Sequence, residues 1–88
     1  MALRFETGES VSGPCSPRNI YLVNPTDSQE TATVTISAPG MTDCSTYSET
    51  TKTFSVAPRS RVYVGLDKAN CSSMAGGVDC RPINYSIR

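Results

Sequence analysis

The stretch Thr31-Ala32-Thr33-Val34-Thr35-Ile36-Ser37 alternates strictly between apolar and hydroxyl side chains. A period of two puts Ala32, Val34 and Ile36 on one face of an extended chain and the hydroxyls on the other. Its β-branched residues suit a pleated, half-buried surface. A helix would scatter the same apolar groups around its circumference. The pattern recurs along the chain. Leu3 and Phe5 alternate with Arg4 and Glu6, and Ile20-Tyr21-Leu22-Val23 reads as a strand covered on both faces, fully or in part. Phe54 and Val56 point inward from a strand over 52–56. Val62, Val64 and Leu66 share a face opposite Tyr63, and Ile83, Tyr85 and Ile87 close the series.

Turn signals separate these segments. Asn24-Pro25-Thr26-Asp27, Pro39-Gly40 and Ala57-Pro58-Arg59-Ser60 each join proline or glycine to residues that favour turns. Residues 8–17 read as an ordered Gly-, Ser- and Pro-rich loop, 41–51 as a polar stretch, and 67–81 as a long loop. No segment carries an apolar stripe at helical spacing. Six short strands between turns predict an all-β fold, a small antiparallel β-sandwich or a small barrel, as one domain over 1–88. The rhythm of Ile20 to Asp27, Thr31 to Ser37 and Phe54-Ser55-Val56-Ala57-Pro58 resembles immunoglobulin-like sandwich modules. The resemblance covers about half the chain. It implies architecture and no activity, since the chain has no Trp to fill the core position of true immunoglobulin domains.

A chain of 88 residues with 7% aromatic content has little core to bury, and small cores rely on staples or neighbouring subunits. Four cysteines, Cys15, Cys44, Cys71 and Cys80, supply the staples. None stands at C-x-x-C spacing, and the chain has no His, so a zinc site would need all four thiolates from scattered loops. Two disulfides are the expectation. Sequence does not choose among the three pairings; the favoured one is Cys71–Cys80, closing a short loop, with Cys15–Cys44. Disulfides argue for an oxidising milieu. The opening Met1-Ala2-Leu3-Arg4-Phe5-Glu6 lacks the apolar region of a secretory signal, so no signal peptide is expected in this chain. Three readings reconcile the two: a mature chain with an added Met1, a cytosolic chain with reduced thiols, or a chain oxidised after release from a cytoplasm.

The missing His removes the usual general base and any Ser-His-Asp or Cys-His arrangement. Asp67 and Asp79 could pair as acid and base if the 67–81 loop brought them together, but the plainer reading makes them loop-solvating carboxylates. Gly76-Gly77 lacks the pattern of a phosphate loop, and Asp67, Asn70 and Asp79 lack that of a calcium loop. Arg59 and Arg61, placed near Lys52 with Tyr63 beside them, suggest a small basic corner. Lys plus Arg and Asp plus Glu number 8 each, so a nucleic-acid partner is not expected. Asn70-Cys71-Ser72 and Asn84-Tyr85-Ser86 match the glycosylation acceptor, a pattern frequent by chance. Thr31, Thr33 and Thr35 form a flat hydroxyl ladder, on a strand that could lie at a sheet edge.

The expectation is therefore a non-enzymatic structural or interaction subunit of a larger assembly, in its concrete form a decoration (cement) protein of a viral capsid. The competing expectation is a secreted or periplasmic disulfide-stabilised binding module, adhesin-like or inhibitory. Its contact loop would hold Asp67, Lys68, Asn70, Met74 and Asp79. A small hydrolase using Asp67 and Asp79 is a third, weaker expectation. The expected partner is a protein of a capsid or surface assembly, with homo-oligomers, no cofactor, no metal and no membrane insertion. The expected location is the virion or the extracellular space.

Overall fold

The computed structural model describes residues 2–40, 44–71 and 79–88. Alternation becomes strand wherever it is present. The described residues form β1 (Arg4–Ser10), β2 (Arg18–Asn24), β3 (Glu30–Pro39), β4 (Tyr47–Val56), β5 (Ser60–Leu66), β6 (Lys68–Asn70), β7 (Cys80–Pro82) and β8 (Asn84–Ile87), with no helix among them. Two three-stranded antiparallel sheets run β1-β2-β5 and β4-β3-β8, and β6 pairs with β7 as a small ribbon.

The two larger sheets face each other across one thin core. Leu22 comes from the first sheet and Ala32, Val34 and Val56 from the second, and Leu3 joins them just before β1. Leu22, Val34 and Val56 are wholly buried. Phe5 and Tyr85 meet across the gap with ring centroids 5.9 Å apart. The Tyr85 hydroxyl donates to the Leu66 carbonyl at 2.7 Å. That approach requires Gly65, because a Cβ there would overlap the Tyr85 hydroxyl. Tyr63 faces outward and is 53% exposed. The slab measures 50 × 25 × 12 Å, with a radius of gyration of 14.5 Å. A compact chain of this length would have about 12 Å, so the domain is elongated and poor in interior.

Two features clamp the slab, one at each end. At the end where β6 and β7 lie, Cys15 is bonded to Cys80 and Cys44 to Cys71, with Cα–Cα distances of 5.7 and 5.6 Å. This corrects the expected pairing of Cys71 with Cys80 and of Cys15 with Cys44. The β6–β7 register places Asn70 opposite Cys80. Cys80 therefore projects on the Asn70 side of the ribbon, and Cys71, one residue on, projects on the other. Two cysteines on opposite faces of a ribbon cannot reach each other. At the opposite end, the fully buried Asn24 ties the end of β2 to the start of β3 and the end of β4 through hydrogen bonds around the Pro25 turn.

Other boundaries differ from expectation. β1 runs to Ser10, into the stretch read as loop, after a register shift between Thr7 and Ser10. β4 begins at Tyr47 because β3 offers ten unbroken partners. β6 and β7 occupy part of the expected 67–81 loop, so the described residues hold eight strands where six were expected. Leu22 is buried and Tyr21 and Val23 are half-covered, so β2 is covered fully on one face and partly on the other, within the expectation.

Candidate functional site

The outer face of the β1-β2-β5 sheet gathers charge around an apolar floor. The registers place Arg4 beside Val23 and Val23 beside Arg61, so two arginines stand on either side of a valine. Strand spacing puts their backbones about 10 Å apart. Arg59 joins them from the β4–β5 turn, and Pro25 and Ser60 complete an open hollow of about 430 Å³. That volume lies low in the range of about 300–1,000 Å³ usual for ligand sites. It suits a side chain or a short segment.

The arginines differ in what holds them. Arg61 donates to Glu6 at 3.3 Å and lies 3.8 Å over the Tyr21 ring. The Arg59 Nε donates to Asp27 at 2.8 Å, and its backbone N–H donates to the Thr26 carbonyl at 3.0 Å. Arg4 makes no ion pair among the described residues. These pairs are exposed and contribute only about 0–1 kcal/mol each; their effect is orientation. Beyond Tyr21 the face continues to Tyr63, whose ring meets Tyr21 edge-on at 6.1 Å. The Tyr21 hydroxyl donates to Glu9 at 2.6 Å. That bond, with the Glu9 backbone amide and Asn19, holds the Glu9 carboxyl below its ordinary range, and the same contact pushes the Tyr21 phenol up.

The second exposed feature is the β4 edge. β4 pairs with β3 alone among the described residues. Gly40 donates to the Thr46 carbonyl, and Arg88 donates to the Thr33 carbonyl on the β8 side of β3. Antiparallel alternation then directs the backbone of Ser48, Thr50, Lys52 and Phe54 toward β3. The N–H and C=O groups of Tyr47, Glu49, Thr51, Thr53 and Ser55 point away from the sheet. No bulge or proline interrupts this edge over its ten residues; of the usual devices by which edges are blunted it carries one charge on the core-facing side, Lys52, opposite Val34.

The hydroxyl ladder is real but not at an edge. β3 is central, and Thr31 and Thr33 hydrogen-bond across to Ser55 and Thr53 at 3.0 and 3.3 Å. Their hydroxyls are engaged with one another, as cross-strand pairs are.

The described residues of the expected contact loop lie along the β6–β7 ribbon. The Arg18 N–H donates to the Asp67 carboxylate at 2.8 Å and the Ile83 N–H to the Asp67 carbonyl, so Asp67 is a junction between β2 and β8. Lys68 and Asn70 belong to β6. Asp79 pairs with Arg81 at 3.0 Å. Met74 and Gly76-Gly77 lie outside the described residues, as does Ser72 of one glycosylation match. Asp67 lies level with Ile83 and Asp79 with Cys71, four ribbon positions apart. That separation is about 13 Å, beyond the ~5–9.5 Å of acid–base carboxylate pairs. The expected corner is also revised: Lys52 lies opposite Val34 on the other sheet, and Arg4 takes its place beside Arg59 and Arg61. Arg4 was invisible as a partner because only strand register joins it to residues so distant in sequence. Among the described residues no cluster of His, Cys, Asp and Glu could hold a metal ion, and no helix is long and apolar enough to cross a membrane. No protein-family model, no curated protein and no solved structure matches the chain.

Proposed function

We propose that the chain is a non-enzymatic structural or interaction subunit of a larger assembly, in its concrete form a decoration protein of a viral capsid that docks through the β4 edge. The ten-residue edge carries this reading: its row of outward N–H and C=O groups is a template for strand addition. The two disulfides support it, since a module with so thin a core gains endurance outside a cell from crosslinks.

Co-sedimentation with capsids of the genome that encodes the chain tests the reading. Wild-type protein should travel with the particles, and Thr51→Pro should not. Proline at Thr51 removes an outward donor and leaves the β3 hydrogen bonds in place. Wild-type protein left at the top of the gradient, or a Thr51→Pro variant that travels with the particles, contradicts the proposal.

A further inference from the structure

We infer that the hollow between Arg4, Arg59 and Arg61 is a binding site for the carboxylates of an acidic protein segment. Three arginines line it against one acidic residue, Glu6, in a chain whose formal net charge is zero. Each arginine retains donors. Arg61 gives one to Glu6, Arg59 gives one to Asp27, and Arg4 gives none to any described carboxylate. Guanidinium forks match carboxylates two donors at a time, so the unused donors are specific capacity. Val23 and Pro25 form an apolar floor on which the methylene stem of a glutamate can lie.

Backbone geometry is an independent sign. Arg59 has φ 55°, in the left-handed region where glycine or asparagine is at ease. Strain of this kind in a bulky residue points from an observed outlier to a use. Here its backbone N–H and Nε are both fastened to the Thr26-Asp27 turn, which fixes the residue at the rim of the hollow it lines.

The charge pattern favours discrete carboxylates over a polyphosphate chain. Glu6, Glu9 and Asp27 interrupt the face around the arginines, so a nucleic acid with closely spaced phosphates would meet repulsion on every side. An acidic segment can place single charges between them. The site lies on the face of the sheet and is separate from the β4 edge, so it stands or falls independently of docking there.

The test is a chemical-shift titration of the oxidised protein with an end-blocked peptide of six glutamates, at low and at physiological ionic strength. Inorganic phosphate and a short DNA duplex form parallel arms. The inference expects saturable shifts confined to residues 4, 23–25 and 59–61, weakened by salt. Arg4→Gln and Arg59→Gly should each weaken binding about tenfold, the effect of one lost charge-assisted contact. Both variants should keep wild-type amide spectra away from the hollow and the Thr26-Asp27 turn, because Arg4 has no ion pair among the described residues and glycine fits a positive φ. Thr51→Pro should bind the peptide as wild type does. Absence of saturation, shifts centred elsewhere, or undiminished binding by both arginine variants overturns the inference. So does saturation of the same residues by phosphate or DNA at lower concentration than by the peptide.

Discussion

Asn24 uses its amide in full. Its oxygen accepts from the Thr26 N–H at 2.9 Å and the Thr26 hydroxyl at 2.6 Å, while its nitrogen donates to the carbonyls of Ser28 at 2.7 Å and Val56 at 3.0 Å. The sequence displays only Asn-Pro-Thr-Asp, which reads as a turn. The turn is there, but the burial of its first residue depends on β4 ending beside it. Removing the amide takes a donor from the buried Val56 carbonyl and the part-buried Ser28 carbonyl, so Asn24→Ala should cost about 2–4 kcal/mol and lower the melting temperature by about 10–25 °C. Asn24→Asp should be worse at neutral pH, since a carboxylate cannot donate to those carbonyls. Equal melting of both variants and the wild type would show that the network is ornamental. Tyr85 offers a second check. Burial, helped by the negative charge that can develop on Tyr63 and Asp67, pushes its phenol up to about 12. A raised value favours the neutral form in the folded chain, so its contribution is complete below pH ~10, the ordinary tyrosine value, and is lost as pH rises through about 12. The denaturant midpoint should hold to pH ~10 and fall from there to about 12, and the fall should be shallower in Tyr85→Phe. An identical alkaline slope in the variant contradicts the assignment.

At the scale of elements, legibility followed pattern length. β3 was readable because seven alternating residues admit one periodicity, and β8 because Ile83, Tyr85 and Ile87 repeat it. β6 and β7 span three residues each, too few to show a period. The cysteine pairing failed for the same reason, since it depends on which face of that ribbon each thiol takes. The arginine hollow was half legible: Arg59 and Arg61 are close in sequence, but Arg4 reaches them only through the β1–β2–β5 register. The pairing is directly testable. Trypsin with cyanogen bromide separates Cys71, in residues 69–74, from Cys80, in residues 75–88. Without reductant, 69–74 should be found joined to the Cys44 fragment 42–52, and 75–88 to the Cys15 fragment 5–18. A fragment pair joining Cys71 to Cys80 would overturn the ribbon geometry.

As a whole molecule the chain is a thin slab held at both ends. Sulfur crosslinks gather the loops at one end, and the Asn24 amide and the arginine-lined hollow sit at the other. The crosslinks close sequence separations of 65 and 27 residues. In the chain-entropy model they contribute about 4 and 3.5 kcal/mol, comparable with the whole stability of about 5–15 kcal/mol of a small domain. Reduction should therefore lower the melting temperature by more than about 15 °C, and an unchanged melting curve in strong reductant would reject the clamp. The resulting module has its breadth in surfaces: a hydroxyl-lined sheet, a charged hollow and an open strand edge. Amide hydrogen exchange, residue by residue along β4, tests the docking claim most directly. In the free protein Ser48, Thr50, Lys52 and Phe54 should be protected by β3 while Tyr47, Glu49, Thr51, Thr53 and Ser55 exchange freely. On the particle the second set should become protected as well. Outward amides that exchange as fast on the particle as in solution would contradict it.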